Sequence, residues 1–200
     1  MIRRWLLPLL LSLPLAANAA DKVTVAAAAN LVYAIDALKV EFKKVEAATE
    51  LQVVMGASGS LVAQIQNGAP FDVFLSADLE YPQQLIDRGL AGSPAVVTFA
   101  VGRLVLWSTR PGVDVSSIPA LIDNPKVKRI AVANLITAPY GKATREALMR
   151  LNLWAEAEPR IVYGENVTQT AQFVETGNAD AGFVALSLVL SPKLTNKDRW

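Results

Sequence analysis

Four short stretches place small residues and neutral hydrogen-bond donors where an apolar run gives way to a helical period. "AAAAN" ends at Asn30, and "GASGS" spans Gly56 to Ser60. "TAPYGKAT" carries Tyr140 and Gly141, and "GENVTQT" carries Asn166 and Val167. The chemistry open to such junctions is anion capture. The first turn of a helix presents unpaired N–H groups and the positive end of the helix dipole. Glycine admits close approach of the backbone, and a serine hydroxyl donates a further bond. Each junction alone has a plainer reading. Asn30 reads as a helix cap, Ser58 and Ser60 as loop or cap residues, and Tyr140 as an aromatic at a turn. Asn166 reads as a cap, with Gln169 completing a capping box. Four junctions, two from each half of the chain, could converge on one anion, and only the set favours that reading.

Other chemistries fail on residue type. The 200-residue chain has no histidine and no cysteine. That removes Ser-His-Asp and Cys-His catalysis, His- or Cys-based zinc sites and disulfides. "GASGS" is not a nucleophile elbow, because Ser60 stands where glycine is required. "GKAT" is not a Walker loop, because Ile136 stands where the leading glycine belongs. Asp72, Asp78 and Asp180 read as sheet-edge and turn residues, and no spacing makes them a catalytic pair.

The junctions need strands before them and helices after them. Lys22 to Ala28 reads as a buried strand. Leu31, Ile35, Leu38, Phe42 and Val45 then form one apolar helical face. Strands are expected at Leu51 to Met55 and Phe71 to Leu75, with helices at Ser60 to Asn67 and Leu79 to Asp87. This alternation implies a parallel sheet with right-handed crossovers. "AVVTFA" and "RLVLWS" then read as two successive strands, and Val96 to Ser108 as the crossing into a second lobe. "DVSSIPALID" gives a short helix. Arg129 to Asn134, Arg160 to Gly164 and Asp180 to Leu186 read as strands, and Lys142 to Leu151 and Val167 to Thr176 as helices.

The chain opens "MIRRWLLPLLLSLPLAANA". Arg3 and Arg4, an apolar run from Trp5 to Leu15 and a small-x-small site read as a secretory signal peptide over 1–20, cleaved near Ala19. The run is too short to span a membrane. The exported chain is then nearly neutral, with no basic stripe for nucleic acid or anionic lipid. The periplasm is the expected location.

The same junctions resemble those of the molybdate-binding proteins of bacterial ABC importers. These are periplasmic solute-binding proteins with the two-lobed type II fold. The match runs through "VTVAAAANL", "GASGSLVAQIQNGAPFDVFLSAD", "GRLVLWS", "NLITAPYGKATREAL", "GENVTQT" and "DAGFVAL". It implies an α/β fold of two lobes, 21–99 and 100–190, each a mainly parallel sheet flanked by helices. Residues 191–200 would begin a segment returning to the first lobe. Members of the family continue past this point, so the first lobe is expected to be incomplete.

The resemblance implies oxyanion contacts at Asn30, Ser58, Tyr140 and Val167, with Ala29 and Gly59 as further candidates. Molybdenum is met only as the oxyanion, with no direct metal ligand. Some members add a tyrosine hydroxyl where this chain has Ala185, which leaves one donor missing or replaced by a second bond from Asn30. Lys142 is expected to point to solvent. No cofactor, no catalytic residue and a monomer are expected. The implied ligands are molybdate and tungstate, and the implied partners an inner-membrane permease with its ATPase. Two rivals stand beside this reading: the same fold taking sulfate or another oxyanion, and an exported enzyme using a carboxylate or lysine base.

Overall fold

The computed structural model describes residues 21–92, 95–194 and 200. The leader expected over 1–20 lies outside them, as does most of 195–200. No helix among the described residues is long and apolar enough to cross a membrane.

Two sheets organise the chain. The first is built from β1 (Lys22–Ala28), β2 (Glu50–Gly56) and β3 (Val73–Leu75) in the order β2-β1-β3, all parallel. Helices α1 (Val32–Val45) and α2 (Ser58–Gln66) make the crossovers, and α3 (Glu80–Asp87) follows β3. On one face Val25, Ala27 and Leu31 pack with Val23, Ile35, Leu51, Val53, Met55 and Leu75. β2 alternates exposed and covered positions, the period of a half-buried strand.

The second sheet contains β4 (Leu104–Trp107), β5 (Ile130–Ala133), β6 (Ile161–Gly164) and β7 (Ala181–Ala185), in the order β4-β7-β5-β6. β4 runs antiparallel to β7, and the remaining pairs are parallel. The helices are α4 (Ile118–Asp123), α5 (Pro139–Arg150), α6 (Trp154–Ala157), α7 (Val167–Glu175) and α8 (Leu186–Val189). Ser117 caps α4 by accepting from the Ala120 N–H at 3.2 Å, with Pro119 in its first turn. Asp180, 2% exposed, ties this sheet to its surroundings. It accepts from the Lys128 and Arg129 N–H groups at 2.6 and 2.8 Å and pairs with Arg110. Asp72 is likewise structural, accepting from the Thr24 N–H at 2.7 Å.

The architecture is the two-lobed, mainly parallel α/β fold expected, with local differences. "AVVTFA" is not a strand: residues 96–103 are irregular, and Val97, Phe99 and Val101 are exposed. A strand needs a neighbour for its ladder, and no described strand pairs with this stretch. The apolar face of α1 is only partly covered, with Phe42 half-buried. Ile35 joins the core, while Leu38 and Val45 are exposed. Helices α2 and α5 begin earlier than periodicity alone indicates, at Ser58 and Pro139 rather than Ser60 and Lys142. Both early starts fall on small or N1-compatible residues that carry no helical apolar period.

Candidate functional site

The carboxyl ends of β1, β2, β5 and β6 lead into helical starts that face one another across a cleft. Its lining includes Asn30, Ser58, Tyr140 and Val167, with Ala29, Ala77 and Asn166 beside them. The space counted to the cleft mouth is about 190 Å³. The enclosed cavity within it is about 10 Å³, far below the roughly 300–1,000 Å³ of pockets that take organic ligands. No Asp, Glu, Lys or Arg lines it, and no cluster of three or more metal-ligating side chains occurs among the described residues.

Each predicted residue occupies a different helical start. Asn30 lies in a 3-10 turn, Ala29–Leu31, directly after β1. The capping position is Ala28, and Asn30 lies inside the turn, so the plain helix-cap reading does not hold. The side chain instead lies beside the Tyr140 phenol in the cleft lining, and Asn30 Oδ1 is buried without a partner. Ser58 is the first residue of α2 and fully buried. Its Oγ accepts from the Ala77 N–H at 3.0 Å, which leaves its own proton available to a ligand. Tyr140 is the second residue of α5, after Pro139, which has no N–H to offer. Val167 is the first residue of α7.

Asn166 is the cap of that helix. Its Oδ1 accepts from the Thr168 and Gln169 N–H groups at 3.0 and 3.1 Å. The capping box is shifted by one residue, because Gln169 Oε1 accepts from the Glu165 N–H rather than that of Asn166. With Thr168 and Gln169 engaged, the Val167 N–H is left over. Among the described residues, no hydrogen bond involves the backbone N–H of Asn30, Ser58, Tyr140 or Val167. These are the orphan donors of helix N-termini, aimed from both sheets at one space.

The two further candidates differ from each other. Ala29 lines the cleft, and its carbonyl accepts from Thr168 Oγ1 at 2.8 Å. Gly59 is not among the lining residues. Its N–H donates to the Thr137 carbonyl at 2.8 Å, so it joins the two halves rather than facing a ligand. Ala185 is buried at the end of β7, paired with Leu104.

A set of bonds across the cleft was not legible in the sequence. Besides Thr168–Ala29 and Gly59–Thr137, Ser187 Oγ donates to the Asn30 carbonyl at 2.9 Å and Tyr81 Oη to the Ile136 carbonyl at 2.8 Å. Lys142 is half-exposed, as expected of a solvent-facing side chain, and pairs with Glu80. Lys193 pairs with Asp36 at 2.7 Å. The partners are tens to more than a hundred residues apart, and no local spacing announces them. Burial pushes the Tyr140 phenol up from its ordinary value, with the Asn30 hydrogen bond acting the other way.

The family model for bacterial extracellular solute-binding proteins matches residues 23–199. The molybdate-binding protein of Azotobacter vinelandii is 41% identical over 186 residues, covering 92% of this chain and 73% of the relative. That of Rhodobacter capsulatus is 38% identical over 173 residues, covering 86% of this chain and 67% of the relative. Among solved structures, the periplasmic molybdate-binding protein of Azotobacter vinelandii superposes with a TM-score of 0.76 at 36% identity, covering 82% of this chain and 71% of that one. The sulfate-binding protein of Mycobacterium tuberculosis superposes with a TM-score of 0.69 at 13% identity, covering 82% of this chain and 64% of that one. This second likeness concerns the fold alone.

Proposed function

Since this chain belongs to the bacterial extracellular solute-binding proteins, we propose that its cleft captures molybdate, and tungstate with it, for delivery to an ABC importer. What supports the reading is the donor set: the free N–H groups of Asn30, Ser58, Tyr140 and Val167, with the Ser58 hydroxyl, in a small cleft lined by no charged residue. Helix starts share out the charge of a dianion, so no countercharge is required. The names of the relatives from Azotobacter and Rhodobacter, at 41% and 38% identity, select molybdate among the tetrahedral oxyanions.

In this reading the function is capture, not catalysis. Residues 21–99 and 100–190 act as two lobes that close over the anion, and 191–200 begins the return to the first. The bonds of Thr168, Ser187, Gly59 and Tyr81 across the cleft belong to the closed form. The chain is exported to the periplasm through a leader cleaved near Ala19 and works as a monomer, without a cofactor. A permease and ATPase of the inner membrane receive the closed form.

Thermal unfolding with molybdate, and with sulfate as control, tests this. Ligand at about a hundred times its Kd adds roughly 2.7 kcal/mol, a rise of roughly 5–11 °C for a chain of this size. The expected result is a rise with molybdate and none with sulfate. Equal rises would transfer the reading to a general oxyanion binder. A cooperative transition unmoved by either would overturn it.

A further inference from the structure

Two side-chain amides line the cleft, Asn30 and Asn166; the oxygen of Asn166 is engaged in capping α7, whereas that of Asn30 is not engaged. As placed, the Asn30 amide lies beside the Tyr140 phenol in the cleft lining, and Oδ1 is buried with no partner. An orphaned buried carbonyl oxygen costs about 1–3 kcal/mol, and beside a dianion it would also repel. A half-turn of the amide exchanges its oxygen and nitrogen. Oδ1 then accepts the Tyr140 O–H, and Nδ2 takes the position of the orphan, where it donates to a ligand. Both groups line the cleft. The phenol is seated tightly: a methyl group at Gly102 would overlap Tyr140 Oη. Glycine at 102 therefore makes the room in which the hydroxyl reaches Asn30.

We propose that the Tyr140 hydroxyl is the positioning group of this site: by donating to Asn30 Oδ1 it turns the Asn30 amide nitrogen toward the bound oxyanion and leaves the cleft without a facing acceptor. This rests on the oxyanion reading above and extends it to selectivity. A fully ionised oxyanion meets donors only. One that still carries a proton, such as inorganic phosphate at neutral pH, has an O–H with nothing to receive it. Tyr140 thus has two separate roles, its backbone N–H touching the anion and its side chain acting through Asn30. The donor absent at Ala185 is replaced by Asn30 Nδ2.

The test is a double-mutant cycle read by calorimetric titration with molybdate and with inorganic phosphate. Tyr140→Phe keeps the ring and the backbone N–H. It is expected to weaken molybdate binding about tenfold, the worth of one hydrogen bond to a charged group, and to narrow the preference over phosphate. In an Asn30→Ala background the same change is expected to have no further effect. Gly102→Ala, which crowds the hydroxyl from the other side, should reproduce the single change. In the wild-type chain, the Asn30 side-chain NH₂ resonances should shift on adding molybdate. Equal losses in both backgrounds, an unchanged preference over phosphate, or NH₂ resonances that ignore molybdate would each overturn the positioning role while leaving the oxyanion function standing. Failure of the wild-type chain to bind molybdate would remove the function and this role together.

Discussion

Thr168 Oγ1 donates to the Ala29 carbonyl across the cleft at 2.8 Å. The two residues are 139 positions apart, yet each is next to a proposed oxyanion contact, Val167 in one case and Asn30 in the other. The bond joins the start of α7 to the turn after β1, so in the proposed closure, bringing the halves together and assembling the donors are one event. Ser187 repeats the arrangement on the Asn30 carbonyl. Thr168→Val keeps the shape and removes the donor. Molybdate should then dissociate about fivefold faster, the effect of losing one neutral hydrogen bond. Stopped-flow release checks this; an unchanged rate would mean that the bond does not hold the closed form.

Ser58 has two partners to serve. Its oxygen accepts from Ala77, and its proton is available to the anion. Ser58→Ala should raise the Kd for molybdate by roughly ten- to a hundredfold, the range for a hydrogen bond to a charged group. The orphaned Ala77 N–H should also lower the melting temperature without ligand. Titration and thermal unfolding separate the two effects. Lower stability with unchanged affinity would show the hydroxyl to be structural only.

Gly59 sits where the halves meet. A methyl group there would overlap Tyr81 Oη and the Thr137 backbone. Gly59→Ala should leave the first sheet folded, since alanine favours the helix, and should keep the two halves from closing. Small-angle scattering should show no compaction on adding molybdate, with affinity reduced more than tenfold. Normal compaction would place the junction elsewhere.

Burial raises the Tyr140 phenol above its ordinary value near 10. A raised acid keeps its proton longer in the folded chain than in the unfolded one. Its contribution is therefore complete below about pH 10 and is lost as pH rises through the folded value. Stability should fall in the alkaline range, less steeply in Tyr140→Phe. Parallel declines in the two chains would show that Tyr140 has no part in it.

The local half of the site was readable one junction at a time. A strand ending in small residues, followed by a helical period, leaves N–H groups without partners, which marked the four junctions; the resemblance to the molybdate-binding family then picked out Asn30, Ser58, Tyr140 and Val167 within them. Asn166 was readable as a cap from the local sequence, since its partners are two and three residues away. Gly59 was not: its N–H belongs to the same helical start, and only Thr137, from the other half, decides where it goes. The strand expected at "AVVTFA" fails in the same way, because a strand is defined by a neighbour and its own alternation cannot supply one.

Taken alone, the amino-acid order determined where the helices after each strand lie and which N–H groups their first turns leave without a local partner, because capping, periodicity and orphan N–H groups depend on residues within one turn of each other. Tertiary structure alone decided that these donors face one space, that Thr168 and Ser187 hold the turn carrying Asn30, and that Tyr140 reaches its amide. Those outcomes depend on packing between chain segments up to 157 residues apart, and no local pattern encodes which surfaces will meet.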